Sequence, residues 1–180
     1  MSNQQLPSFE NHLHPETPRW FAVYCRSKSE KVVQRLLENK RIACYLPLQK
    51  VTKRYTRKIK TYEVPLITCY VFVRIVKDQY VPVLETENVV RFVRIARNLI
   101  SIPDEEIQLL QRIVGEGYEV EAEAGTFSEG DRVEVIGGKL TGLKGKLVEK
   151  AGKKQMVVAL DTVGYSLKMN IDVSLLRKSR

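Results

Sequence analysis

The sequence contains no CxxC pair, and its three cysteines, Cys25, Cys44 and Cys69, each fall in or beside an apolar strand-like run. That number and spacing argue against a disulfide framework and fit small buried hydrophobes in a reducing cytoplasm. Histidine is nearly absent. His12 and His14 both lie in a polar N-terminal stretch, so no metal centre is expected. No apolar run approaches bilayer-spanning length, and residues 1–18 lack a basic start followed by an apolar core. The expectation is a disordered tail on a cytoplasmic protein without membrane contact. No grouping of His, Cys and Asp and no phosphate-cradling loop appears, and the adjacent acids Asp104, Glu105 and Glu106 open a helix as dipole partners. An enzyme is therefore not expected, and neither is a cofactor.

Basic charge is abundant. Lys and Arg number 30 against 21 Asp and Glu, a net of +9 over 180 residues. Segments 1–115, 116–127 and 128–180 carry formal charges of +8, −4 and +5, so an acidic stretch separates two basic regions. That stretch reads as a solvated linker between two small domains.

The segment Gly130-Asp131-Arg132-Val133-Glu134-Val135, then Gly137-Gly138 and Leu140-Thr141-Gly142-Leu143-Lys144-Gly145-Lys146-Leu147-Val148-Glu149, reads as two short strands around a glycine-pinned loop. It resembles the KOW motif, found in small SH3-like β-barrels of ribosomal proteins and NusG-type transcription factors. Nearer the N-terminus, the strand-like Arg19-Trp20-Phe21-Ala22-Val23-Tyr24 precedes a helix with Val32, Val33, Leu36 and Leu37 on one face. Ser27 and Glu30 fit a capping box for that helix. Further on, Pro65-Leu66-Ile67-Thr68-Cys69-Tyr70-Val71-Phe72-Val73 resembles the NusG N-terminal domain motif Pro-Leu-Phe-Pro-Gly-Tyr-Val-Phe-Val, with Ile67, Thr68 and Cys69 in place of Phe, Pro and Gly. The two resemblances run from Arg19 to Arg177 in the family's order, so the chain resembles a NusG-family elongation or antitermination factor.

The expected fold is α+β: a ferredoxin-like antiparallel sheet with helices over 19–115, a linker over 116–127, and an SH3-like barrel over 128–180. In the first domain the patterning predicts strands at 20–24, 44–53, 55–64, 70–75 and 89–95. Helices are expected near 29–39 and 81–87, and from Pro103 onward.

Three surfaces follow. The resemblance implies that Tyr24, Tyr70, Phe72, Phe92, Ile107 and Leu110 build a hydrophobic depression for the clamp helices of the largest subunit of bacterial RNA polymerase. The alternative for each is an ordinary core position, with Tyr24 and Tyr70 favoured for a groove because a phenol suits a wet rim. The arm from Lys50 to Lys60 is basic at Lys50, Lys53, Arg54, Arg57, Lys58 and Lys60 without an acid, which favours a phosphate backbone, and Tyr55 suits stacking on an unpaired base. Its alternative is a solvated hairpin tip. Arg26, Lys28, Lys31 and Arg35 open the first helix, where cations and free N–H groups attract anions. Single-stranded non-template DNA is the expected ligand, with Thr86 and Asn88 contributing base-edge contacts. In the barrel, Leu140, Thr141 and Leu143 are expected to project from the loop that family members use to meet a small-subunit ribosomal protein or Rho. Here Gly138-Lys139-Leu140 replaces the family's Gly-Pro-Phe.

The leading functional reading is a monomeric, non-enzymatic processivity factor specialised for particular operons, as in the RfaH-like and capsule-locus branches. A general housekeeping NusG and a ribosome-associated or RNA-binding KOW protein are the alternatives.

Overall fold

The computed structural model describes residues 9–125, 130–150 and 153–179. Its strands are β1 (Arg19–Cys25), β2 (Ala43–Tyr45), β3 (Leu48–Tyr55), β4 (Lys58–Pro65), β5 (Tyr70–Ile75) and β6 (Val89–Phe92), then β7 (Val120–Ala124), β8 (Asp131–Val135), β9 (Lys144–Lys150), β10 (Lys153–Leu160), β11 (Tyr165–Met169) and β12 (Leu176–Lys178). The α-helices are α1 (Glu30–Asn39), α2 (Tyr80–Leu84) and α3 (Asp104–Gly115). The described residues divide into two compact units: those up to Leu46 with Thr68–Asp104, and Pro47–Ile67 with those from Glu105 onward.

The first unit holds a four-stranded antiparallel sheet in the order β2-β5-β1-β6. Followed along the chain it runs β-α-β-β-α-β, the ferredoxin-like path, with the hairpin β3–β4 inserted between its second and third strands. Strand period two divides the side chains between two faces. Phe21 and Val23 lie opposite Val73 and Val71 on one face, and all four are buried. On that face the rings of Phe21 and Phe92 meet edge to face, with centroids 6.2 Å apart, and Phe92 stacks on Tyr80. Helix α1 buries Val33 and Leu37 and leaves Lys31, Arg35 and Glu38 in solvent. Burying each such large apolar side chain contributes about 1.5–3 kcal/mol.

The expected strand 44–53 is two strands, broken at the buried Leu46 and Pro47, because Pro47 supplies no N–H for a continuous ladder. The expected capping box does not form. Helix α1 begins at Glu30 after Ser29, which makes no side-chain cap. Glu30 is instead buried, and its Oε1 accepts the backbone N–H of Cys69 at 2.8 Å. The tail is also more ordered than expected: Asn11 pairs with Leu99, Leu99 N–H donates to Glu10 O, and Ser101 N–H donates to His12 Nδ1 at 3.1 Å. Residues 1–8 of that tail lie outside the described residues. Burial pushes the thiol of the core residue Cys25 up to about 12 and that of the half-buried Cys44 up to about 11, which suits unreactive thiols.

The second unit contains a six-stranded antiparallel sheet in the order β12-β8-β9-β10-β11-β7, compatible with the expected small barrel. Val133, Val135, Met156, Leu160, Leu167 and Met169 are buried in it. Gly145 in β9 is required by a close crossing, since a Cβ there would stand 2.6 Å from Val157 O. Residues 120–124, expected within a solvated linker, form β7 against β11. Val120 and Ala122 alternate with Glu119, Glu121 and Glu123, a strand period, and Glu123 is ion-paired with the buried Lys168. The linker's end at 126–127 lies outside the described residues. Helix α3 belongs to this unit: Glu106 Oε1 accepts from Thr162, and Arg112 Nη2 donates to the carbonyls of Lys139 and Thr141 at 3.1 and 2.6 Å. Glu116 pairs with Lys139 at 2.8 Å.

No described helix is long and apolar enough to cross a membrane. Among the described residues no cluster of three or more His, Cys, Asp or Glu is placed to hold a metal ion.

Candidate interaction surfaces

The first unit's other sheet face carries the aromatic cluster. Tyr24 stands directly opposite Tyr70, and Ala22 opposite Phe72, so these four share that face by register. The Tyr24 and Tyr70 rings meet at 87° with centroids 5.8 Å apart, the edge-to-face arrangement the ring quadrupoles favour. Phe72 is fully buried with Tyr45 stacked on it at 6.4 Å, while Tyr24, Tyr45 and Tyr70 are half-buried. Arg91, opposite Tyr24 on β6, holds its guanidinium 5.3 Å from the Tyr24 ring centroid. The face therefore offers apolar ring area with polar rims and a cation at one edge.

Phe92 is not part of this cluster. It pairs with Val23 and takes the opposite face, between Phe21 and Tyr80. Ile107 and Leu110 are buried on α3. Two residues of the aromatic face, Tyr45 and Arg91, are not among the site residues expected from the sequence. Their signal is cross-strand register, which local patterning does not carry.

Arg26, Lys28, Lys31 and Arg35 are all solvent-exposed at the start and along one side of α1. Arg26 N–H donates to Asn88 O, which ties this loop to the start of β6. Thr86 is not available to a base edge: it is buried, donates its hydroxyl to Pro82 O at 3.0 Å and accepts from Lys40 Nζ at 3.0 Å. A hydroxyl already engaged on both sides closes the turn after α2.

The basic arm is the hairpin β3–β4, paired from Leu48 with Pro65 to Tyr55 with Lys58. Lys53, Arg54, Tyr55, Arg57 and Lys58 are all exposed there. Near the hairpin's base, a cleft of about 400 Å³ is lined by Lys50, Thr52, Tyr118, Glu119 and Glu121, among others.

The loop after β8 departs from expectation. Leu140 and Leu143 are buried, so they do not project, and only Thr141 is exposed. Thr141 N–H donates to Gly138 O, and Gly142 N–H donates to Val135 O, which folds the two leucines inward. In the same loop, the Lys139 and Thr141 carbonyls are engaged by Arg112.

A family model described as "Transcription termination factor nusG" matches residues 18–111. No curated protein matches the chain. The solved structure "Domain interaction in Thermotoga maritima NusG" is 19% identical, covers 91% of this chain and 98% of its own, and superposes with a TM-score of 0.57. "Crystal Structure of MjSpt4:Spt5 complex conformation A" is 17% identical, covers 89% of this chain and 97% of its own, with a TM-score of 0.32.

Proposed function

The chain belongs to the NusG family, and from that premise we propose that it is a transcription elongation and antitermination factor. It binds RNA polymerase at the clamp helices through the face built on Tyr24, Tyr70 and Phe72, and it suppresses pausing or termination. It is a cytoplasmic, non-enzymatic monomer that needs no cofactor. The observation that carries the reading is the half-buried Tyr24–Tyr70 pair, set edge to face beside Phe72. Half-buried tyrosines combine apolar area with a polar tip, which suits an anchor for a partner helix laid in a groove.

The exposed cations Arg26, Lys28, Lys31 and Arg35 then meet the non-template strand. The second unit recruits a further partner, a small-subunit ribosomal protein or Rho, with Thr141 as the exposed one of Leu140, Thr141 and Leu143. The departures Ile67-Thr68-Cys69 and Lys139-Leu140 from the family pattern favour a factor dedicated to particular operons.

The test is single-round transcription by purified bacterial RNA polymerase on a generic template and on one carrying the protein's own operon leader. Faster passage through pauses is expected, with a larger effect on the leader. Unaltered pausing on both templates, with no comigration with polymerase, would overturn the proposal.

A further inference from the structure

We propose that one face of the β3–β4 hairpin is a base-stacking clamp for single-stranded DNA, formed by Tyr55 and Tyr62 and flanked by Lys53, Lys58 and Lys60. The proposal rests on the DNA-binding part of the function proposed above, and it adds a second contact of different chemistry, with Tyr62 as its new member.

The register defines the face. Val51 opposes Tyr62, Lys53 opposes Lys60, and Tyr55 opposes Lys58, so all six side chains project from the same side of the ribbon. Lys50, Thr52, Arg54, Ile59, Thr61 and Glu63 fall on the other side, where Glu63 opposes Lys50. Among the described residues the hairpin forms a sheet of its own, with no third strand. Tyr55 is 50% exposed and Tyr62 is 38% exposed, and their phenol oxygens lie 3.4 Å apart. A cleft of about 400 Å³ is lined by these two rings with Val51, Lys53, Glu63 and Val64, within the size range of pockets that take small ligands, and Glu63 is the one acid among its lining residues.

The lysines are placed against the hairpin's own stability. Lys53 directly opposes Lys60, and like charges at such a position destabilise a strand pair. A two-stranded ribbon is marginal to begin with. None of Lys53, Lys58 or Lys60 forms an ion pair among the described residues. A polyanion laid along the face would remove that repulsion. Exposed aromatic rings between the cations select the kind of polyanion. Unpaired bases have π-faces to stack on the rings, whereas a duplex presents only base edges and phosphates, and an acidic peptide leaves the rings uncovered.

The test is fluorescence anisotropy of a labelled twelve-nucleotide oligothymidylate titrated with the full chain, at several salt concentrations. Replacing both tyrosines (Tyr55→Ala with Tyr62→Ala) is expected to weaken binding about tenfold or more. The paired Tyr55→Phe and Tyr62→Phe change retains affinity, because the rings remain. An abasic oligonucleotide of equal length binds the unaltered protein as weakly as the alanine variant binds the intact one, and it is insensitive to the alanine change. Lys53→Gln with Lys60→Gln reduces the slope of log affinity against log salt by about 1.4. Thermal melts followed by circular dichroism identify any variant that fails to fold, and the phenylalanine variant then carries the comparison with the abasic strand. Unchanged affinity of the alanine variant would overturn the clamp. So would equal, tyrosine-dependent binding of a duplex, or a tyrosine-dependent preference for oligouridylate RNA over DNA. Arg26→Gln with Lys31→Gln, measured alongside, separates the two proposals: a loss there with no loss at the tyrosines leaves the helix-opening patch standing and removes the clamp.

Discussion

The carboxylate of Glu30, the first residue of α1, accepts the backbone N–H of Cys69 at 2.8 Å across the end of the central strands. Glu30 is 5% exposed, so this bond fixes the residue immediately before Tyr70 from inside the fold. Cys25 N–H donates to Cys69 O at 2.8 Å, so Cys69 is held through both its backbone N–H and its carbonyl. Glu30→Ala is expected to lower stability by about 1–3 kcal/mol by leaving the Cys69 N–H without its partner. Glu30→Gln, which retains an acceptor oxygen, loses less. Chemical denaturation of the two variants measures the difference, and equal losses would contradict the role given to the bond.

Cys69 sits at φ 65°, in the left-handed region. A non-glycine residue there costs about 1–2 kcal/mol, which gives a physical reason for glycine being usual at this place in the resembling motif. Cys69→Gly relieves that strain, offset by about 0.5–1 kcal/mol from the greater freedom of glycine in the unfolded chain. The expected outcome is a net gain of up to about 1 kcal/mol, read as a raised denaturation midpoint. A lowered midpoint would show that the thiol's packing outweighs the backbone strain.

Glu106 links α3 to the turn after β10 and introduces a pH dependence. Burial pushes its carboxyl above the ordinary 4.5 and outweighs the two hydrogen bonds from Thr162. Its Oε2 is buried without a hydrogen-bond partner among the described residues. A folded-state value raised above the unfolded one means that the folded state holds the proton more tightly. Its contribution to stability is full below 4.5 and is lost as pH rises through the folded value. Glu106→Gln keeps an acceptor for Thr162 without the charge, so the variant is expected to be more stable than the parent at pH 7 and to lose that advantage near pH 4. A difference that does not change with pH would contradict this.

Gly145→Ala tests the second unit. The added Cβ would lie 2.6 Å from Val157 O and 2.8 Å from Met156 Cε, and the backbone oxygen cannot swing away. Overpacking of this kind costs about 1–3 kcal/mol. A lowered unfolding midpoint is expected, and an unchanged one would show that β9 and β10 separate at little cost.

Much of the first unit, and the start of α3 in the second, was legible because local patterning carries it. The alternation in β1 and β5, the apolar stripe of α1, and Pro103 ahead of α3 are all local signals, and each element appears where expected within a few residues. What escaped depends on partners distant in sequence. The face taken by Phe92 is set by its pairing with Val23, next to a register shift between Tyr24 and Cys25. Glu30 reads as a capping residue until the fold brings Cys69 to it. Strand β7 reads as a charged linker because its outward positions are glutamates, and only pairing with β11 gives its small inward residues a role. Leu140 and Leu143 look like exposed loop residues because their burial is set by turn hydrogen bonds that the sequence does not display.

The central claim is that the Tyr24–Tyr70 face grips RNA polymerase, and the affinity of purified core polymerase for the full chain and for Tyr70→Ala tests it most directly. Thermal melts of both proteins accompany the titration. Tyr70 is half-buried at a rim, so the variant is expected to fold and to bind polymerase at least tenfold more weakly, the loss typical of an aromatic anchor worth about 1.4 kcal/mol or more. A folded Tyr70→Ala that binds polymerase as tightly as the parent would contradict the account.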